Sequence, residues 1–319
     1  MPGAAGTVDE SSIVLSVGIP TYNGAASLGD TLECVLDQLQ GGVEIVVSDN
    51  ASSDHTAELV RDYRARSPYI RYFRNESNVG FDRNVDAVVR RSRGRFVWLL
   101  ADDDLLREGA IARVTEIINK FPDVCEIYVD SLRPYANVPQ DVLCVDANEF
   151  VELTAFRFGG LSSNVVNKAT WEKKDLSAFI GSEWIHVAYV LNVVPEFASY
   201  VCNDSLKFEK PSLKRKRWDS GGAQFFRTGL KVVRVYRTMD PCVYSRAMRR
   251  RAVRGIRGGY LTAIPRAKAL GLKVDGELLR ELFGLYRNWP GFWFVDLPLL
   301  AVPNAVYRAL LRAYRWGRA

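Results

Sequence analysis

Short β-branched apolar runs alternate with amphipathic stretches through the first 130 residues. Ile13 to Ile19 (IVLSVGI, ended by Pro20), Val43 to Val47 (VEIVV), Ile70 to Phe73, Phe96 to Leu100 (FVWLL) and Cys125 to Asp130 have strand length and strand composition. Between them, TYNGAASLGDTLECVLDQL, SSDHTAELVRDY, Phe81 to Arg91 and Arg107 to Lys120 place apolar residues at helical spacing. Alternation with short connections predicts a mostly parallel sheet with helices on both faces. Ligands of such sheets bind beyond the carboxyl ends of the strands. Three of these strands end in polar residues, Thr21-Tyr22-Asn23, Ser48-Asp49-Asn50 and Asp102-Asp103-Asp104, and these are expected to share one crevice.

The acidic triplet carries the most distinctive chemistry. Apolar neighbours disfavour ionised carboxylates and mutual repulsion adds to the cost, so a divalent cation would keep them charged. A solvated acidic turn capping the next helix is the competing reading. Gly24 stands alone after the first strand, without a phosphate-loop lysine or a Gly-x-Gly-x-x-Gly pattern, which disfavours an ordinary dinucleotide fold. A nucleotide diphosphate held by carboxylates would need a metal to offset repulsion.

The runs SVGIPTYNGAASLGDTLECVLDQ, EIVVSDNASSDHT and RNESNVGFDRNVDAVVRRSRGRFVWLLADDDLL together resemble the nucleotide-sugar half of family 2 glycosyltransferases, across about residues 12 to 130. The resemblance implies a GT-A fold: a Rossmann-like, mostly parallel α/β sheet flanked by helices. It implies that Pro20, Thr21, Tyr22 and Asn23 line a nucleotide pocket and that Asp49 contacts base or ribose. Asn78, Gly80 and Asn84 would shape the floor near the diphosphate. The triplet would contain an Asp-x-Asp element holding Mg²⁺ or Mn²⁺. Many members read Asp-x-Asp-Asp, and here Ala101 would fall at the first position. Asp102 and Asp104 are therefore taken as the functional pair, with Asp103 an open rival that also touches the nucleotide.

Beyond Pro134 to Asp146 the pattern weakens. Ala147 to Arg157 reads as a helix, Ser162, Ser163 and Asn164 precede a short Val165-Val166 strand, and Trp171 begins another helix. GSEWIHVAYVLNVV reads as an apolar helix that places Glu183 and His186 at i and i+3, on one face. Inverting sugar transfer needs a base for the acceptor hydroxyl. The resemblance implies a carboxylate after the acceptor loop, often within Glu-Asp; that pair is missing, and Glu183 and His186 are the candidates. Ser163, Asn164 and Trp184 would face the acceptor. The Ser-Ser-Asn and Gly-Ser-x-Trp-x-His combination is similar to the abequosyltransferase-like group that builds O-antigen and related surface polysaccharides.

Charge adds a second theme. Residues 1–205 carry 18 Lys and Arg against 30 Asp and Glu, whereas residues 206–319 carry 25 against 7. A basic C-terminal third points to an anionic partner. It includes Lys214-Arg215-Lys216-Arg217, then Arg249, Arg250, Arg251, Arg254 and Arg257 on an expected helix. From Gly291 to Trp316, large aromatics interleave with Arg308, Arg312 and Arg315 as in an interfacial helix pair. Packing against the protein's own body is the alternative. No recognition module for nucleic acid is visible, so no nucleic-acid partner is expected. The longest apolar stretch, 291–306, is broken by Asp296, Pro298 and Pro303 and predicts no membrane span.

The five scattered cysteines predict reduced thiols rather than a disulfide frame or zinc site. MPGAAGTVDESS lacks a basic and apolar signal, so a cytoplasmic protein, peripheral on the inner membrane face, is expected. The expected organisation is a disordered 1–11, a nucleotide-sugar half at 12–131, an acceptor half at 132–205 and a basic, mainly helical region at 206–319. The predicted activity is an inverting, metal-dependent transfer from a nucleotide diphosphate sugar to a saccharide, plausibly lipid-linked. A sugar-phosphate nucleotidylyltransferase is the rival enzyme, although PTYNGAASLGD lacks its basic glycine-rich loop; a basic nucleic-acid-binding protein is the rival outside enzymology.

Overall fold

The computed structural model describes residues 13–129, 141–204, 206–209 and 226–316. The expectations for residues 1–11 and for Lys214 to Arg217 lie outside these. Four parallel strands form the first half of the sheet: β1 (Leu15–Thr21), β2 (Val43–Asp49), β3 (Ile70–Arg74) and β4 (Phe96–Leu99). β2 pairs β1 in the register Leu15↔Val43 to Thr21↔Asp49, and β4 lies on the other side of β1 with Gly18↔Leu99. The ends of β1, β2 and β4 therefore emerge side by side, as the polar tails of these runs predicted.

The triplet was expected to run into a helix, and a short strand comes first. Asp104–Leu106 forms β5, which pairs antiparallel with Lys207–Glu209 before the helix begins at Ala110. The triplet thus leads into a short two-stranded antiparallel sheet rather than directly into a helix, because Leu105 and Leu106 have strand partners far along the chain. The remaining sheet strands are β6 (Glu126–Val129), β7 (Asp141–Cys144), β8 (Asn164–Asn167) and β9 (Ser199–Cys202). The sheet order is β3-β2-β1-β4-β8-β6-β9-β7. β8 inserts antiparallel between β4 and β6, so strands from residues 12–131 and 132–205 alternate within one mixed sheet.

Helices α1 (Leu28–Leu36), α2 (Thr56–Arg66) and α4 (Ala110–Lys120) bury Leu32, Val60 and Val114 against one face of the sheet, beside Val17, Ile45, Trp98 and Ile127. α3 (Phe81–Arg91) packs on β1 and β2 from the opposite face, with Val85, Val88 and Val89 inward. It is followed along the chain by α5 (Ala147–Thr154), α6 (Lys168–Lys173) and α7 (Ile185–Val193). α5 stops three residues short of the expected Arg157, since Ala155 and Phe156 take left-handed backbone. Trp171 lies inside α6 rather than at its start, because Asn167 supplies the cap by accepting from the N–H groups of Ala169 and Thr170.

Residues 211–319 form a separate compact unit. Helices at Arg246–Ala269, Gly276–Tyr286, Leu297–Ala301 and Asn304–Trp316 surround a core that includes Leu230, Val233, Ile264, Leu282, Phe292 and Leu300. Among the described residues no single helix is long and apolar enough to cross a membrane, and Phe292–Ala301 and Asn304–Ala313 meet at 82°.

The amino-terminal edge of the sheet is fixed by polar contacts. Glu44, 4% exposed, accepts from Ser16 Oγ at 2.7 Å and from the Arg93 N–H at 2.6 Å, while the Gly94 N–H donates to Ser16 Oγ at 2.9 Å. A Cβ on Gly94 would lie 2.5 Å from the Ser16 backbone nitrogen. Gly94→Ala is therefore expected to cost about 1–3 kcal/mol and to lower Tm by roughly 3–10 °C in a thermal melt, and an unchanged Tm would contradict this close approach.

Candidate functional site

The turn after β1 is laced to the turn after β2. Asn23, at φ +53°, donates its N–H to Ser52 Oγ at 2.9 Å, and its Oδ1 accepts from the Ser53 N–H at 2.8 Å. The Gly24 N–H donates to Thr56 Oγ1 at 3.0 Å. Pro20 and Thr21 are buried, whereas Tyr22 stands out as an exposed ring. Asp49 is fully buried and both its oxygens are used: Oδ1 accepts from the Ser52 N–H at 2.8 Å and Oδ2 from Tyr72 Oη at 2.6 Å. Burial, with the carboxylate beside it, pushes the Tyr72 phenol up to about 12. Tyr72 thus remains a donor, which suits an ionised Asp49.

The floor of the crevice is an asparagine network. Asn50 donates to Asn78 Oδ1 at 2.9 Å and accepts from the Val79 N–H at 2.9 Å. Asn78 Oδ1 also accepts from the N–H of Gly80, whose φ of +86° suits glycine. Asn84 joins the same network, with Oδ1 accepting from Ser48 Oγ at 2.8 Å and from Asn75 at 3.1 Å. Asn78, Gly80 and Asn84 are thereby brought against the end of β2.

The acidic turn closes the third side. Thr21 Oγ1 donates to Asp102 Oδ2 at 2.6 Å, and Ser162 Oγ donates to Asp104 Oδ2 at 2.7 Å while accepting the Ala101 N–H at 2.9 Å. Asp102 and Asp104 are 4% and 7% exposed, with Asp103 more accessible between them. A Cβ on Gly24 would fall 2.5 Å from Asp102 Oδ2, so this glycine keeps the space beside the carboxylate clear. Two carboxylates fixed by neutral hydroxyls are a hard-oxygen donor set that fits Mg²⁺ or Mn²⁺. Sequence reasoning missed the link from Ser162 to Asp104; the Ser-Ser-Asn run was its signal.

The candidates across the crevice are placed differently from one another. Glu183 is not on a helix with His186: α7 begins at Ile185, and Glu183 sits in the preceding turn with φ +66°. The i, i+3 argument fails because Gly181 and Glu183 both take left-handed backbone. His186 is 2% exposed; its Nε2–H donates to the Gly159 carbonyl at 3.0 Å, and Nδ1 is buried without a hydrogen-bond partner. Asn164 is fully buried and donates to the carbonyls of Phe158, Gly160 and Leu161, holding that loop. Ser163 is also fully buried. Of the three residues expected to face the acceptor, Trp184 is the one with accessible surface, and its ring lies 5.8 Å from that of His186.

Asp82 is a second residue that sequence reasoning passed over. Its carboxylate, 2% exposed, accepts from the N–H groups of Gly181 and Glu183 at 2.8 Å and of Ile185 at 3.1 Å. An acid in the first turn of a helix reads as a dipole complement, which hides such a role.

Burial pushes the His186 imidazole down to about 4. Its ring resonances are therefore expected to stay constant from pH 8 to roughly pH 5 in an NMR titration. A midpoint near the ordinary 6.5 would contradict the buried neutral ring. With two histidines in the chain, assignment is direct.

Residues 16–154 match the family described as Glycosyl transferase family 2. The abequosyltransferase of Salmonella typhimurium is 28% identical over 203 residues, which cover 57% of this chain and 61% of that protein. The match thus spans about three-fifths of that relative's length. Among solved structures, residues 1–349 of S. aureus TarS with UDP-GlcNAc superpose at TM-score 0.60 and 16% identity, covering 96% of this chain and 92% of that one. The mannosyltransferase PcManGT from Pyrobaculum calidifontis, with GDP-Man and Mn²⁺, gives TM-score 0.55 at 15% identity, covering 94% and 88%. At these identities the structural likeness concerns the fold, the mixed GT-A sheet with flanking helices. The strand-end motifs, their convergence in space and the match over residues 16–154 make this segment of the chain similar to glycosyl transferase family 2.

Proposed function

We propose that this protein moves a sugar from a nucleotide diphosphate donor to a saccharide acceptor, with inversion, in the assembly of a surface polysaccharide or related glycoconjugate. The observation that carries this reading is the convergence of Thr21, Asp102, Asp104 and Ser162 beside the Asp49 and Asn84 networks. In the proposed mechanism Asp49 and the Tyr22-Asn23 turn hold the nucleoside, and the asparagine floor supports the diphosphate. Asp102 and Asp104 hold Mg²⁺ or Mn²⁺, which when bound offsets charge on the departing diphosphate. Glu183 takes the proton from the acceptor hydroxyl as it attacks the anomeric carbon. The burial of His186 supports Glu183 in that role, since a base must reach a proton on the substrate. The abequosyltransferase relative and the nucleotide sugars in the structural neighbours support the substrate class.

The basic second unit supports a lipid-linked acceptor and peripheral docking on an anionic membrane face. Phe292, Leu300 and Tyr307 are buried, which the self-packing alternative required, while Trp293, Phe294, Val306 and Leu310 are exposed large apolar residues, Phe294 at 82%. A cavity of about 360 Å³ in the same unit is lined by Arg237, Arg246, Arg249 and Arg250 together with Tyr236 and Trp289. Arginines and exposed apolar residues carried by one unit suit an interface with anionic headgroups.

With Mn²⁺ and a panel of nucleotide diphosphate sugars, the protein is expected to release the nucleoside diphosphate. Asp104→Asn is expected to lower that turnover on the order of 100-fold or more. Formation of nucleoside triphosphate and sugar phosphate on addition of inorganic pyrophosphate instead would favour nucleotidyl transfer, and undiminished turnover would remove Asp104 from the metal site. In sedimentation with vesicles, Phe294→Asp is expected to weaken binding to anionic lipid about tenfold or more. Equal binding of both proteins to anionic and neutral vesicles would contradict the docking surface.

A further inference from the structure

The Asp82 carboxylate reaches across to a segment about a hundred residues away in the chain. Its three backbone donors, Gly181, Glu183 and Ile185, are alternate residues of the turn that leads into α7. Alternate N–H groups converging on one point make an anion nest, and here the anion is a side chain of the same protein. The turn needs such an anchor. Gly181 and Glu183 have φ of +90° and +66°, and a residue with a Cβ leaves that region readily unless its neighbours hold it.

A role in capping α3 does not account for these bonds, because all three donors belong to the distant turn. The flanking residues serve the other side of the crevice. Gly80, two positions earlier, accepts from Asn50 Nδ2 at 3.3 Å, and Asn84, two positions later, is bonded to Ser48. The first turn of α3 thus carries anchors for the donor floor and for the Glu183 turn within five residues. Burial raises the Asp82 pKa, its three N–H partners lower it, and the nearby Glu183 carboxylate raises it again, which places the two carboxyl groups within electrostatic reach.

We infer that Asp82 is a positioning residue: it fixes the backbone of Glu183 relative to the donor floor, so that the Glu183 carboxylate meets the acceptor hydroxyl at the sugar's reacting carbon. This inference rests on the proposed transfer reaction with Glu183 as the base. It assigns Asp82 no contact with either substrate, and therefore separates two properties. Donor affinity depends on the Thr21, Asp49, Asn84 and Asp102 contacts and is insensitive to Asp82, whereas transfer depends on it.

The test compares Asp82→Asn, Glu183→Gln and the double variant. Asp82→Asn keeps the volume but presents an NH₂ group to the N–H donors. Its affinity for the nucleotide diphosphate sugar, by calorimetry, is expected within about threefold of wild type, while kcat for transfer falls about 10–100-fold. The double variant is expected to be no slower than Glu183→Gln alone, because residues acting through one group are not additive. Hydrogen exchange of the peptide spanning residues 181–186 is expected to speed up, with the rest of the chain unchanged. Asp82→Glu, which keeps the charge on a longer stem, is expected to recover part of both losses. Full transfer activity, multiplicative losses in the double variant, or unaltered exchange at residues 181–186 would each overturn the inference. If the wild-type protein transfers no sugar, the reaction assignment fails, while the exchange measurement still decides whether Asp82 holds the Glu183 turn. Should Asp82→Asn not fold, Asp82→Glu carries the same comparison.

Discussion

A hydrogen bond of 2.6 Å from Thr21 to Asp102 joins two strand ends that are 81 residues apart in the chain. It forms because β1 and β4 are neighbours in register and because residue 24 is glycine, whose missing side chain would otherwise occupy the same space. From this contact the rest of the crevice follows. The turn after β1 is laced to the turn after β2, and Asp104 is fixed by Ser162 from the short turn that leads into β8. The strand-end motifs similar to those of family 2 glycosyltransferases are therefore held by one another as much as by the sheet beneath them.

The buried acids divide by how their charge is met. Asp49, Asp82, Asp102 and Asp104 all accept hydrogen bonds from N–H or O–H groups, so they can be buried as carboxylates. Glu126 on β6 contrasts with them: it is fully buried, neither oxygen has a hydrogen-bond partner, and burial pushes its pKa well above the ordinary range. Burial thus favours its protonated form, and the stability it permits at low pH declines as the pH rises above the ordinary carboxylate range. The contrast separates acids whose oxygens the fold supplies with donors from one whose oxygens it leaves without them.

Much of the donor side was legible in the sequence, since strand lengths and polar strand ends depend on local patterning. Phe81–Arg91 is helical over the span its periodicity predicted, and Thr21, Asp49 and Asp102 meet as expected. The acceptor side was less legible for physical reasons. Left-handed residues at Gly181 and Glu183 interrupt an apolar run that looks helical throughout, and nothing in the local pattern marks them. Asp82 and Ser162 act through partners 58 to 103 residues away, beyond the reach of any periodicity. Leu105 and Leu106 similarly join a two-stranded sheet whose other strand lies about a hundred residues on.

The central claim is that the ends of β1, β2 and β4 build one metal and nucleotide site. Anomalous diffraction from crystals grown with Mn²⁺ and the nucleoside diphosphate tests it most directly. The account predicts a manganese peak bonded to a carboxylate of the 102–104 turn and to diphosphate oxygens, with the base beside Asp49. Nucleotide bound elsewhere, or a manganese ion on the Asp141, Cys202 and Asp204 group instead, would contradict it.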